Sequence, residues 1–391
     1  MLLLRLERVG DLLMTLGAIR QVRRMAPDAT IDLVVGTWNE PLARLIGEVD
    51  RVETLDAPWL SRHAAGESAA KVLSRARGWR SRGYDLAVNF EGDIRSHLLM
   101  ALSGARRTVG FDMAGGGPLL TDRMTYNPRE HVAANAMRLV ERAFGSPSAP
   151  TGDLQTRGLQ PPAARLEVPE AASRRAAALL GLPASGAAAA PTEPLGLPGT
   201  NGSGSPTLVG LHAGGGREIK QWDLGRVAEV ATLLARSYGA TIVLTGEAAD
   251  RPAIDRVKSG LAAGLKVIDL SGSLDLVTLA AVLEQLDLLV TPDTGPMHLA
   301  AAVGTPIVAI FGPSDPARWG PLSPSARVVR IDLPCSPCNR IRVPPRRCVG
   351  RVPDCLAGIG VGRVYEAAVE LLGPPPAQNP QPASPGALRV P

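Results

Sequence analysis

At 391 residues the chain has room for two domains of ordinary size. Its 45% hydrophobic and 20% charged residues exclude wholesale disorder. Only 3% are aromatic, which leaves an aliphatic core and argues against a single-stranded nucleic-acid platform, since such platforms need stacking rings. The formal charge of +5, carried mostly by arginine, permits an anionic partner without requiring one.

No apolar run approaches the roughly 18–20 residues that cross a bilayer. The opening Met1-Leu2-Leu3-Leu4 is interrupted by Arg5, Glu7, Arg8 and Asp11, so it does not read as a signal-peptide core. The expected address is the cytoplasm. All four cysteines, Cys335, Cys338, Cys348 and Cys355, fall within 21 residues, and a cytoplasmic address disfavours reading them as a disulfide framework.

In the first half a strand at Leu2 to Leu6 meets the turn Val9-Gly10-Asp11, then an amphipathic helix carrying Leu12, Leu16 and Ile19 on one face. A strand follows at Ile31 to Val35, a short helix near Glu40 to Ile46, and a strand near Val52 to Leu55. A polar helix at about Glu67 to Arg82 leads to a buried strand at Tyr84 to Phe90, and a helix at Glu130 to Phe144 closes the half. Residues 146–206 read as a linker with a low-complexity insertion, apart from a helix around Glu170 to Leu180.

The second half alternates more crisply. Strands are expected at Leu208 to Leu211, Thr241 to Thr245, Lys266 to Leu270, Asp287 to Thr291 and Pro306 to Phe311. Helices are expected at Arg226 to Tyr238, Pro252 to Leu261, Asp275 to Leu286, Met297 to Val303 and Val364 to Leu372. The class is α/β, with two doubly wound parallel-sheet domains facing a cleft. The expected boundaries are 1–145, the linker 146–206, 207–360 with its Cys-rich segment 335–355, a last helix in 361–373, and a disordered tail 374–391.

The strongest local signal is Asp293-Thr294-Gly295-Pro296-Met297-His298, between a strand and a helix. Amides at a helix N-terminus, beside a hydroxyl and a glycine, suit an anion such as phosphate. The plainer reading makes Asp293 a cap and His298 a core histidine. A second loop, His212-Ala213-Gly214-Gly215-Gly216-Arg217-Glu218-Ile219-Lys220, follows the first strand of this half. It matches neither the dinucleotide fingerprint nor a Walker loop, yet glycines with one lysine suit a phosphate held by amides and a point charge. Glu247, after the next strand, is placed to accept ribose hydroxyls or simply to face solvent.

In the first half Arg8-Val9-Gly10-Asp11 joins a strand end to a helix start. A carboxylate there is favoured in its ionised form by the helix dipole, as a base for a hydroxyl nucleophile must be, and capping is the alternative. The cysteines read Cys-x2-Cys, nine residues, Cys, six residues, Cys, which leaves zinc and reduced structural thiols both open. Arg340, Arg342, Arg346, Arg347 and Arg351, interleaved with them, would lower the thiol pKa values. No Asp-x-Asp is present, so a carboxylate-clamped divalent ion on a diphosphate is not expected.

These residues resemble glycosyltransferase family 9, the lipopolysaccharide heptosyltransferase family. The resemblance rests on Leu4 to Thr15, on Lys220-Gln221-Trp222, on Asp293 to Ala302, on Gly304 to Pro316 and on Cys335-Ser336-Pro337-Cys338. It implies a GT-B fold, an acceptor-binding first domain, a donor-binding second domain, and a last helix returning toward the first. It also implies inverting, metal-independent transfer of a sugar, heptose from ADP-heptose above all, onto a lipid-linked lipopolysaccharide core at the cytoplasmic face of the inner membrane. In that scheme Asp11 is the general base, Lys220, Thr294 and Gly295 hold the diphosphate, Glu247 meets the ribose, and Asp293 and His298 shape the phosphate end. Arg8, Gly10, His212, Gly214, Gly215 and Met297 are further candidates. Ala213 and Asp223 stand where the family usually has proline, a departure that alters loop stiffness. Two rival classes stay open, a nucleotide-sugar epimerase and a non-catalytic sugar-nucleotide-binding protein of envelope assembly.

Overall fold

The computed structural model describes residues 1–60, 66–145, 165–183, 206–214 and 216–376. In the first half, chain order runs β1 (Leu2–Arg5), α1 (Val9–Met25), β2 (Asp32–Val35), α2 (Glu40–Ala43), β3 (Arg51–Thr54), α3 (Ala69–Gly78), β4 (Leu86–Asn89), α4 (Ile94–Leu102), β5 (Arg107–Phe111), β6 (Asp122–Met124) and α5 (Val132–Ala143). A connecting helix α6 (Glu170–Leu180) precedes the second half. That half runs β7 (Leu208–His212), α7 (Leu224–Tyr238), β8 (Thr241–Thr245), α8 (Arg251–Gly260), β9 (Val267–Asp269), α9 (Leu276–Glu284), β10 (Leu288–Pro292), α10 (Gly295–Val303), β11 (Ile307–Ile310), α11 (Pro316–Trp319), β12 (Ala326–Val329), α12 (Asp354–Ala357) and α13 (Val361–Leu372).

Each half builds a six-stranded sheet, in the orders β3-β2-β1-β4-β5-β6 and β12-β11-β10-β7-β8-β9. Every pairing is parallel, and β1 is central, with Leu4 opposite Val34 on one side and Asn89 on the other. Central strands covered by helices on both faces are apolar along their length, and β1, β2, β4, β7, β8, β10 and β11 are buried throughout. In both sheets the order reverses beside the first strand of the half, β1 and β7. That is where open α/β sheets place ligands, at the carboxyl ends of the strands.

Helix starts follow their caps. Asp223, where the resemblance leads one to expect proline, accepts the Arg226 amide on its carboxylate at 3.0 Å, capping α7. Asp275 does the same for α9, accepting the Thr278 amide at 2.7 Å. Trp222 is buried, its indole N–H donating to the Ile359 carbonyl at 3.2 Å.

The two halves share packing. One apolar cluster runs from Leu12, Leu16 and Ile19 through Ala176 and Leu180 to Leu283, Leu299 and Val303. It joins α1 to α10 and α6 to α9. The Leu166 amide donates to the Ala302 carbonyl at 2.7 Å, so the segment entering α6 is pinned to α10. Residues 165–183, inside the expected linker, are therefore a packed strut. The rest of that linker, and the tail beyond 376, lie outside the described residues.

Two expectations change. The pattern missed α4, β5, β6 and β12: β6 and β12 are short edge strands only partly buried, and β5 carries Arg107, Thr108 and Gly110. The last helix, α13, packs on α7, β11 and β12, with Val364, Ala368 and Leu371 in the second half's core. It covers the second sheet instead of returning toward the first domain, because its apolar stripe matches the open face left by β11 and β12.

Candidate active site

The carboxyl end of β1 carries a buried guanidinium. Arg5 is 4% exposed and donates through Nη1 to the Phe90 carbonyl at 2.8 Å. Around it stand three carboxylates: Asp11 at 3.2 Å, Glu91 at 3.5 Å and Glu7 at 3.8 Å. Glu91 Oε1 accepts the Leu6 and Glu7 amides at 2.7 and 3.1 Å, which ties the β1–α1 loop to the end of β4. The same loop is held from β2's side, where the Trp38 indole and the Asn39 amide each donate to the Glu7 carbonyl at 2.8 Å.

Burial pushes the Glu91 carboxyl up to about 8; Arg5 opposes that, while Glu7 and Asp11 add to it. Glu7 is raised for the same reason, burial first and Asp11 second, with Arg342 of the Cys-rich segment among the cations that oppose it. Asp11 sits in the first turn of α1. Its Oδ2 accepts the Arg8 amide at 3.2 Å, and its side chain is 22% exposed. It is both a cap-side acceptor and an accessible carboxylate.

Opposite it stands the second half's anion loop. Lys220 Nζ lies 2.9 Å from Asp293 Oδ2. Thr294, not Asp293, is the N-cap of α10, and its hydroxyl bonds Thr291 Oγ1 at 3.1 Å. Gly295, the first residue of α10, faces the start of α1: a Cβ there would lie 3.6 Å from the Val9 Cβ. Gly10 lies against the His298 ring, where a Cβ would come within 2.8 Å of Cδ2. At Gly10 only glycine permits this approach, whereas a Cβ at Gly295 would make ordinary contact. His298 is buried and its pKa falls to about 4, burial outweighing Asp293 and Asp11. It is a neutral ring within electrostatic reach of Asp11, Lys220, Asp293 and His131. His131, at the start of α5, donates from Nε2 to the Gly320 carbonyl at 3.0 Å, a further tie between the halves.

The other predicted residues occupy neighbouring strand ends. His212 is buried at 3.2 Å from Thr245 Oγ1, and burial lowers its pKa to about 4, with Asp250 opposing. The Gly214 backbone lies against the Asp250 carboxylate, 2.3 Å from where a Cβ would stand. Asp250 Oδ2 accepts the Glu247 amide at 2.9 Å, and Glu247 itself is exposed. Gly215 lies outside the described residues. The Met297 side chain is fully buried in the apolar cluster, while its backbone belongs to the first turn of α10.

The structure thus brings Asp11, Gly10, Lys220, Asp293, Gly295 and His298 together. It adds Arg5, Glu7, Glu91 and Asp250, which the motifs did not single out as site residues. A charged residue closing the apolar run Leu2-Leu3-Leu4 was the available signal for Arg5; Glu91 had none, since its partners lie about 85 positions away.

The four thiols line one small cavity with Ile219, Pro313 and Arg347, next to the Lys220 loop. Among the described residues, however, no group of three or more His, Cys, Asp or Glu is arranged to hold a metal ion, so zinc is not supported. The arginines do not lower the buried thiol either: burial pushes Cys355 up to about 11, and the neighbouring thiols add to it. Among the described residues no helix is long and apolar enough to cross a membrane.

A family model for glycosyltransferase family 9 (heptosyltransferase) matches residues 72–345, more than half of the chain. The chain belongs to glycosyltransferase family 9. It is a glycosyltransferase. It is 24% identical over 332 residues to lipooligosaccharide heptosyltransferase 2 of Haemophilus influenzae, covering 83% of this chain and 86% of that one. The fold matches the ADP-heptose lipopolysaccharide heptosyltransferase II of E. coli with TM-score 0.71 at 22% identity, over 95% and 98% of the two chains. It also matches the family 9 glycosyltransferase of Veillonella parvula, with TM-score 0.73 at 24% identity over 95% and 96%. The two sheets and their facing loops are those of a GT-B glycosyltransferase.

Proposed function

We propose that this family 9 enzyme transfers heptose from ADP-heptose to a lipid-linked lipopolysaccharide core, with inversion and without a metal ion. Residues 1–145 form the acceptor domain and 207–360 the donor domain. Asp11 takes the proton from the acceptor hydroxyl as its oxygen attacks the anomeric carbon. The bond between that carbon and the diphosphate oxygen breaks, and ADP leaves. Lys220 and the amides of Thr294 and Gly295, at the start of α10, receive the charge that develops on the leaving group. Glu247 meets the ribose, and Asp293 and His298 shape the phosphate end.

The observation that carries this reading is an accessible carboxylate, Asp11, at the start of α1, beside the start of α10, where Lys220 from the β7–α7 loop pairs with Asp293. The named relatives support heptose as the sugar. Because the acceptor is lipid-linked, turnover takes place at the cytoplasmic face of the inner membrane, where Arg340 to Arg351 can meet anionic headgroups.

Calorimetric titration with ADP, GDP, UDP and CMP tests the donor. Selective ADP binding supports it; preference for UDP or GDP removes heptose; binding of none removes the enzyme's donor site as drawn. Turnover that persists in excess EDTA, with inverted anomeric configuration by NMR, is the expected result for the mechanism.

A further inference from the structure

Arg5 touches neither face of the proposed reaction, yet it is fully buried and spends its guanidinium on the candidate base. One edge is fixed by β4, through the Phe90 carbonyl at 2.8 Å and Glu91 at 3.5 Å. Another edge reaches Asp11 Oδ1 at 3.2 Å. The opposite oxygen of Asp11 accepts the Arg8 amide at 3.2 Å. Both oxygens of the carboxylate are therefore held, one by backbone and one by a group whose own position is set at the end of the neighbouring strand β4. A planar, rigid fork does this in a way a flexible ammonium does not.

We propose that Arg5, braced by Phe90 and Glu91, is a positioning residue for the reaction: it orients the Asp11 carboxylate toward the acceptor hydroxyl. Among the described residues, the titratable and charged groups that Asp11 acts on from the packed elements include Arg5 on β1, Glu7 in the following loop, Glu91 after β4 and the neutral His298 ring on α10. Among these described groups Arg5 is the buried cation in contact with it, at 3.2 Å. Glu91 also holds the loop by accepting two amides, so Arg5, Glu91 and the Leu6–Glu7 backbone form one rigid unit at the strand end. This inference rests on Asp11 being the base.

The test is steady-state kinetics of Arg5→Lys and Arg5→Gln, each alone and combined with Asp11→Asn, using ADP-heptose and the full chain. Misplacing a reacting group by about 1 Å costs on the order of 100-fold. Arg5→Gln should accordingly lower kcat by about 100-fold with the donor KM within about twofold of wild type, and Arg5→Lys should recover part of the loss. In the Asp11→Asn background neither change should lower kcat further, because the group being positioned is gone. Arg5→Lys keeps the buried charge, so it serves where Arg5→Gln does not fold. A fall in donor affinity in place of kcat, or losses that simply multiply with Asp11→Asn, overturns the positioning role. Wild-type turnover by Asp11→Asn alone sinks the general-base reading instead, and the two failures are thereby told apart.

Discussion

Lys220 and Asp293 lie in different loops, 73 residues apart, and meet at 2.9 Å with 18% and 11% of their side chains exposed. The pairing holds a flexible lysine in place before any donor arrives, so less conformational freedom is lost on binding. Asp293 also keeps the lysine beside the α10 N-terminus, where amides and ammonium can act on the same anion.

Replacing Lys220 by Ala should weaken ADP binding by about 10- to 100-fold, the usual range for losing a charged hydrogen bond. Calorimetry on wild type and variant checks this. Equal affinity in the two proteins puts the diphosphate elsewhere.

Asp11→Asn removes the base while keeping the shape of the helix start. Turnover should fall by about 100- to 10,000-fold, as expected for loss of a general base, with ADP affinity within about twofold of wild type. A radiolabelled-transfer assay beside the same calorimetry separates the two effects.

Gly10→Ala adds a Cβ that would stand 2.8 Å from the His298 ring, which is buried and has little room to turn. Overpacking of this kind costs about 1–3 kcal/mol. Urea unfolding should show a lower midpoint, and activity should fall with it, because α1 and α10 must separate to admit the methyl group.

Two buried groups give stability opposite pH slopes. His298 has a folded pKa near 4, below the ordinary histidine value, so the unfolded chain takes up the proton first. Its contribution is present above the unfolded pKa of about 6.5 and is lost as pH falls toward about 4. Glu91 has a folded value near 8, above the ordinary carboxyl value, so the native state holds its proton longer. Its contribution is full below about 4.5 and is lost as pH rises through about 8. Thermal melts should therefore show His298→Gln losing less stability than wild type between pH 7 and 4. Glu91→Gln should lose less than wild type between pH 5 and 8. Parallel curves for wild type and variants would mean that these groups do not titrate as described.

The regular alternation of apolar runs and amphipathic segments was enough to establish two parallel α/β sheets. Thr241–Thr245 and the helix around Glu170 to Leu180 were legible to the residue. That works because a strand buried on both faces and a helix buried on one leave different periods in the sequence. The Asp293-Thr294-Gly295 and Lys220 loops stood out as candidates because their residue types are written consecutively, but that Lys220 and Asp293 meet at 2.9 Å is a tertiary fact. Edge strands β6 and β12 were not, because a half-exposed edge needs no apolar pattern.

Tertiary structure alone decided which groups stand together. Arg5 and Glu91 are about 85 positions apart, and only the pairing of β1 with β4 makes them neighbours. The packing of α13 on its own half was settled by which sheet face lay open, a property of no single segment. That Met297 packs in the core while the neighbouring His298 ring lies against Gly10 emerges only once α10 is docked on α1, since adjacent helical residues point in different directions. A linear chain specifies local period and local chemistry; contact across 85 residues exists only once the sheet has closed.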